Sequence, residues 1–355
     1  MSSVTVLVPN YNRAAFLPRA LESIRAQTFT NWCVIVGDNA STDQSVEIVR
    51  SLDDPRVRLI CRPQNLGYIR NTNLLLDEVE TEFVAILHSD DWWERDFLEQ
   101  LVGLLDATPA AVMAVSAVRR VSGSDTVTVD RFETGHPGET AVLSSAEATS
   151  VLVQRWPFLT PSDVVARTEV YRRVAGFEES LPCSTDWLMW LRLASAGSVA
   201  LCQRPLVNNR KHQSSVTGEA EADVRWADEW IRLSQILEAE WARGAQYTGV
   251  ATELRATNAV RFVMKAYELH ERGNRAGALK LARLARQTAP SVRWRAAAAF
   301  EHLVIRSTNA TTARRLRQLA AGLARRFANS IQPPAKTYAS RSPVLQLLTA
   351  LRESR

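Results

Sequence analysis

The chain has 355 residues, 46% hydrophobic and 23% charged, which excludes disordered and fibrous architectures and leaves room for two or three domains with a substantial core. No run approaches the ~18 apolar residues of a membrane span, and Met1 to Asn12 lack the basic-then-apolar order of a signal peptide, so the chain reads as cytosolic. The net charge of +5 hides an asymmetry, with 23 basic against 33 acidic residues up to Val250 and 20 against 5 beyond it, so the two parts face different partners.

In chain order, Val4 to Val8 reads as a strand closed by Pro9, and Leu17 to Ala26 as a helix with Leu17, Leu21 and Ile24 on one face. Trp32 to Val36 is a second strand, followed by the polar loop from Gly37 to Ala40. Ser41 with Gln44 has the spacing of a capping box opening a helix through Leu52. Val57 to Cys61 is a third strand, Tyr68 to Val79 a helix, and Phe83 to Leu87 a fourth strand ending in His88-Ser89-Asp90-Asp91. This is the βαβ rhythm of a mostly parallel sheet. Ligands of such sheets sit beyond the carboxyl ends of the strands, so Asn10, Asp38 and Asp90 should converge on one crevice.

Helices and shorter strands are expected from Glu94 to about Leu206, then a polar stretch from Asn208 to Glu221. Beyond Asp223 the pattern is all-helical. Ala266 to Pro290, with Gly273-Asn274 between helical runs and Ala278, Leu281, Ala282 and Ala285 on one face, resembles a single tetratricopeptide-like unit. The expected domains are therefore residues 1–222, a basic helical domain 223–332, and a linker with a short helix over 333–355. The cysteines Cys33, Cys61, Cys183 and Cys202 lack the pairing of a zinc site or disulfide framework and read as buried small hydrophobes.

Asp90-Asp91 at the end of an apolar strand is the strongest local signal. Adjacent carboxylates repel, and hard oxygen ligands suit Mg²⁺ or Mn²⁺ holding a diphosphate. One Asp capping a helix that begins near Glu94 would be the purely structural reading, but it leaves Asp38, Asn39 and Asp43 at a second strand end unexplained. Asp186 precedes the very apolar stretch Trp187 to Ala194; a helix amino terminus there would keep it ionised, as a general base must be.

Four blocks together resemble the successive blocks of family 2 glycosyltransferases with the GT-A fold. They are Val4 to Asn12, Gly37 to Asp43, Asn65-Leu66-Gly67 with Arg70-Asn71, and His88 to Asp91. The resemblance continues to Ser184 through Trp187 and to Arg210-Lys211-His212. It implies an α/β GT-A fold with an all-α C-terminal extension, and inverting transfer of a sugar from a nucleoside diphosphate donor, UDP or dTDP, with Mn²⁺ or Mg²⁺ on the diphosphate. By the same resemblance Pro9, Asn10, Tyr11, Asp38, Asn65, Arg70, Ser89, Asp90, Asp91 and Arg210 would bind the nucleotide sugar. Asp90 and His212 would serve the metal, and Asp186 would be the catalytic base. His88 stands where the metal motif has its first Asp, and reads as a ribose or supporting contact.

A dehydrogenase would need a Gly-x-Gly-x-x-Gly turn after the first strand, which Pro9 to Arg13 lack. A degenerate transferase domain serving as a nucleotide-sugar-binding scaffold is the remaining rival; His88 favours it, while Asp90 and Asp186 oppose it. The acceptor would be a glycan, a lipid-linked sugar or a small molecule. The basic tail suits the chain's own acidic part or an anionic membrane at its inner face, whereas nucleic acid is not expected without aromatic residues among the arginines.

Overall fold

The first strand, β1 (Val4–Asn10), is buried along its whole length, as a Val/Leu run covered on both faces must be. It lies inside the sheet, flanked by a strand on each side, in a computed structural model that describes residues 3–122, 127–130, 139–154, 159–211, 224–242 and 248–290. β2 (Trp32–Asp38), β3 (Val57–Cys61) and β4 (Phe83–Ile86) run parallel with it, and Asn10 pairs in register with Asp38. The ends of β1 and β2 thus lie side by side.

The remaining strands are β5 (Trp92–Trp93), β6 (Ala111–Ser122), β7 (Val127–Asp130), β8 (Thr140–Leu143), β9 (Val164–Arg167) and β10 (Ser198–Lys211). The sheet order is β3-β2-β1-β4-β9-β6-β10-β5, with β7 on β6 and β8 on β10. β9 is antiparallel to β4 and β6, while β10 is parallel to β6. The two long strands β6 and β10 replace the shorter strands expected after Glu94. Asn208 to Lys211, expected in a polar stretch, extend β10 because they pair with Arg119 to Ser122 of β6.

Period-two patterning assigns the faces. Val4, Val6, Val8, Val34 and Val36 pack with α1 (Leu17–Arg25) and α4 (Phe97–Ala107) in one core. On the other face Gly37 meets α3 (Tyr68–Leu76), where a Cβ would lie 2.6 Å from Leu75 Cδ1, so glycine is required for this close approach. α2 (Ser45–Arg50) starts later than the capping-box reading placed it, because the Ser41 hydroxyl accepts from Asn12 N and Asn10 Nδ2 instead. α5 (Ser145–Gln154), α6 (Thr168–Arg173) and α7 (Thr185–Ala196) complete the α/β region. Asn73 of α3 exchanges two 2.8 Å hydrogen bonds with the Phe177 backbone, and Phe177 meets Trp190 of α7 edge-on at 6.3 Å. α3 and α7 are thereby linked on one side of the sheet.

The chain divides into two compact units, residues 1–152 with 157–215, and residues 153–156 with 216–355. The described part of the second unit is helical: α8 (Arg225–Trp241), α9 (Thr248–Glu271) and α10 (Arg275–Thr288). Gly273 (φ 82°) breaks the chain between α9 and α10, and the Asn274 side chain caps α10 by accepting from Gly277 N. Ala278, Leu281, Ala282 and Ala285 are buried, as the helical spacing requires. None of the helices among the described residues is long and apolar enough to cross a membrane. The cysteine expectation fails in part: Cys202 is buried, Cys33 and Cys183 are half-buried, and Cys61 is exposed at the end of β3. The expected linker and helix over 333–355 lie outside the described residues.

Candidate active site

The carboxyl ends of β1 and β2 form a hydrogen-bonded cradle. Asn10 Nδ2 donates to Asp38 Oδ1 at 2.9 Å, Ser41 N donates to Asp38 Oδ2 at 2.9 Å, and Thr42 N donates to Asn12 Oδ1 at 2.8 Å. Asp43 accepts from Ala14 N and Ser45 N, tying the same two loops together. Asn12 (φ 51°) and Ala40 (φ 63°) are left-handed there, a conformation costing about 1 kcal/mol or more that the cross-loop bonds maintain. Asn39 Nδ2 donates to Asn65 Oδ1 at 2.8 Å, which joins the third sequence block to the cradle. Pro9 is buried in β1, and Tyr11 stands 42% exposed at its mouth. Arg70 is exposed on α3 and takes no part in the cradle, whereas its neighbour Asn71 holds the Gly37 carbonyl.

Beyond β4 the two adjacent carboxylates separate. The Asp90 side chain is 20% exposed, with Arg13 Nε 4.0 Å from its Oδ2. Asp91 is 1% exposed, and both of its oxygens accept: from Ser162 Oγ at 2.7 Å, from Arg210 N at 3.0 Å, and from Asn209 Nδ2 at 3.1 and 3.0 Å. Burial, and then the charge of Asp90, push the Asp91 carboxyl above the usual range, against the opposing pull of His88 and of these donors. Asp91 thus fastens the strand-end loop to β10. Ser89 beside it is buried too.

His88 is fixed from three directions. Its backbone N–H donates to Ser162 Oγ at 3.1 Å, its Nδ1 faces Asp91 Oδ2 at 3.7 Å, and its Nε2 lies 3.0 Å from the Tyr68 hydroxyl. A ring proton on Nδ1 toward the carboxylate leaves Nε2 to accept from Tyr68. Desolvation raises the Tyr68 pKa, and the negative charges of Asp186, Asp90 and Asp91 raise it further. Asp186 therefore shares the electrostatic environment of the strand-end carboxylates. It sits in the first turn of α7, half-buried, with its Oδ1 accepting from Trp187 N at 2.7 Å.

Residues 5–174 match the model of glycosyl transferase family 2. The chain carries a family 2 glycosyltransferase domain. A glycosyltransferase of Nostoc sp. is 26% identical over 238 residues, 62% of this chain and 70% of that one. TarS 1–349 of S. aureus, in complex with UDP-GlcNAc, superposes with a TM-score of 0.55 at 17% identity over 85% of this chain and 90% of its own. The mannosyltransferase PcManGT of Pyrobaculum calidifontis, in complex with GDP-Man and Mn²⁺, gives 0.54 at 18% identity over 99% and 88%. At such identities the structural likeness is one of fold, and the fold is GT-A. The chain spans from 12% to 70% of the length of the curated relatives it matches.

In this transferase domain His88, Asp90 and Asp91 offer ligand atoms within 4.8 Å of one another. Their contacts make them unequal, since Asp91 has both oxygens engaged and His88 Nε2 is taken by Tyr68. Of the two carboxylates Asp90 is the accessible one, at 20% exposure against 1%. That donor set fits a hard divalent cation that takes one protein carboxylate and completes its shell with phosphate and water. His212, the other expected ligand, lies outside the described residues.

Tyr68, Ser162 and Asn209 were missed by the sequence reading. Each is a polar residue joined to the site over a long chain separation, with no local motif to mark it. Trp93 settles as core, stacked on Phe97 at 4.2 Å, while Trp92 is half-buried and carries the Arg19 guanidinium 3.5 Å from its ring centroid.

Proposed function

We propose that the chain is an inverting glycosyltransferase that moves a sugar from a nucleoside diphosphate donor to an acceptor hydroxyl. The observation that carries this reading is the convergence of the Asn10–Asp38 cradle and the accessible carboxylate of Asp90 along one strand-end crevice, with Asp186 nearby. Asp38 and Asn10 hold the nucleoside, Tyr11 and Pro9 line its pocket, and Asn65 keeps the neighbouring loop in place. Arg70, Ser89 and Arg210 belong to the outer donor contacts. Asp186 accepts the acceptor's proton as the bond to the anomeric carbon forms, and the α7 amino terminus keeps it ionised before that moment. A divalent cation on Asp90, Mn²⁺ or Mg²⁺, would supply positive charge to the departing diphosphate.

The donor is a UDP- or dTDP-sugar and the acceptor a glycan, a lipid-linked sugar or a small molecule. The likeness to TarS with UDP-GlcNAc supports a uridine donor, and the likeness to PcManGT with GDP-Man keeps the sugar and base open. The domain boundaries are 1–222 and 223–332, and the basic second domain docks the enzyme at the cytoplasmic face of an anionic membrane. The scaffold alternative loses ground because Asp90 remains accessible and Asp186 stands in the same electrostatic environment. A thermal-shift panel of nucleotide sugars, with Mn²⁺ or with EDTA, tests the reading. One donor should raise the midpoint, more strongly with Mn²⁺. A flat panel would overturn it.

A further inference from the structure

The metal motif of this chain has one accessible carboxylate where the family pattern has two, so less cation charge is anchored beside the crevice. A second source of positive charge stands next to it. Arg19, on α1, places its guanidinium carbon 3.5 Å from the Trp92 ring centroid, and Arg210, at the end of β10, places its own 4.9 Å from the same centroid and 5.1 Å from that of Phe16. Arg210 Nε donates to the Asp90 backbone carbonyl at 3.3 Å, which fixes the pair to the residue that would hold the cation.

Two guanidiniums on one indole repel each other. Desolvation, and then the charge of Arg210, hold Arg19 below its ordinary pKa, while Glu94 pulls the other way. Glu94 turns its Oε1 elsewhere, accepting there from Arg119 Nη1 at 2.7 Å and Asn208 Nδ2 at 3.0 Å. Among the described residues, the Arg19 guanidinium donates no hydrogen bond and Arg210 spends only its Nε and backbone N–H. A plain surface cation–π contact accounts for one of these arginines, at about 0.5–1 kcal/mol, but leaves the forced proximity of the second unexplained. An anion bridging the two forks would turn the repulsion into binding.

Arg210 Nε is held on the Asp90 carbonyl, beside the carboxylate that would hold the cation, so the anion this pair would meet is the one such a cation would carry, the donor's diphosphate. We infer that Arg19 and Arg210, braced on Trp92, form a guanidinium clamp for the donor's diphosphate, taking over part of the charge neutralisation that the motif's missing carboxylate would have given to a cation. This rests on the proposed transfer reaction. Arg19 is the new residue in it, and its effect is on diphosphate binding in the ground state and on the charge that grows as the diphosphate leaves.

Titration of the full chain with inorganic pyrophosphate in EDTA, followed by calorimetry, tests the clamp without any sugar donor. The wild-type chain should bind, Arg19→Met should weaken binding about 10- to 100-fold, the scale of a charge-assisted hydrogen-bonded pair, and Arg19→Lys should recover part of it. Arg58→Met, at the ion pair with Glu78 away from the crevice, should bind as wild type. Equal pyrophosphate affinity in wild type and Arg19→Met, or no binding by the wild-type chain, would overturn the clamp. In either case the transferase reading is decided separately, by the thermal-shift panel of nucleotide sugars.

Discussion

Asn209 donates its side-chain amide to both oxygens of Asp91, at 3.1 and 3.0 Å, and so fastens the last residues of β10 to the loop that follows β4. The strand end that bears Arg210 and the loop that bears Asp90 are thereby set as one piece. Asp91 is too buried to be left short of donors, because a carboxyl group in such a place needs every hydrogen bond it can collect.

Replacing Asn209 by Ala removes two of the four contacts to Asp91. The expected loss is about 1–3 kcal/mol of unfolding free energy, the penalty for an under-satisfied buried polar group. Urea unfolding measures it. A loss within experimental error would mean that Asp91 finds its donors without Asn209.

Asp163 gives a pH prediction. It is fully buried, and burial raises its pKa from 3.8 to about 7, with the Asp91 charge adding to the rise and Thr160 and Arg120 opposing it. The folded chain therefore binds a proton through a range where the unfolded chain has released it. The contribution to stability is complete below the unfolded pKa of 3.8 and is lost as pH rises to about 7. Asp163→Asn keeps an oxygen for Thr160 N and cannot titrate, so its Tm should gain on that of the wild type between pH 4 and 7 and run parallel above. Parallel melting curves across the whole range would contradict a raised Asp163.

The parallel half of the fold was legible because buried Val/Leu runs and turn residues repeat with βαβ spacing, and the strand ends then bring Asn10, Asp38 and Asp90 together by topology alone. Local polarity misled the reading elsewhere. Asn208 to Lys211 look like a loop, yet they are strand, since Asn209 and Arg210 spend their polarity on Asp91. Ser41 has the spacing of a capping residue, yet its hydroxyl is used by Asn10 and Asn12 across the crevice. Ser162, whose Oγ lies 71 positions along the chain from the Asp91 it serves, had no neighbouring residue to announce it. The different duties of Asp90 and Asp91 were also invisible, because burial distinguishes them and sequence adjacency does not.

Asp90→Ala should abolish the gain in donor affinity that Mn²⁺ confers and leave the affinity in EDTA close to that of the wild type. The reason is that Asp90 is the accessible carboxylate, while the cradle at Asp38 and the arginines are untouched. Calorimetric titration with the nucleoside diphosphate in Mn²⁺ and in EDTA reads both quantities. A persistent Mn²⁺ effect in the variant would move the cation to other ligands.

The most direct measurement of the central claim is the turnover of Asp186→Asn against its donor affinity, with wild type and variant compared at saturating donor. Asparagine keeps the shape and the hydrogen bond from Trp187 N but cannot take a proton. Turnover should fall by about 10²- to 10⁴-fold with the donor Kd unchanged, which is the share of a general base. Near-wild-type turnover in a variant that melts like the wild type would contradict the assignment of Asp186, and with it the account of how this crevice transfers a sugar.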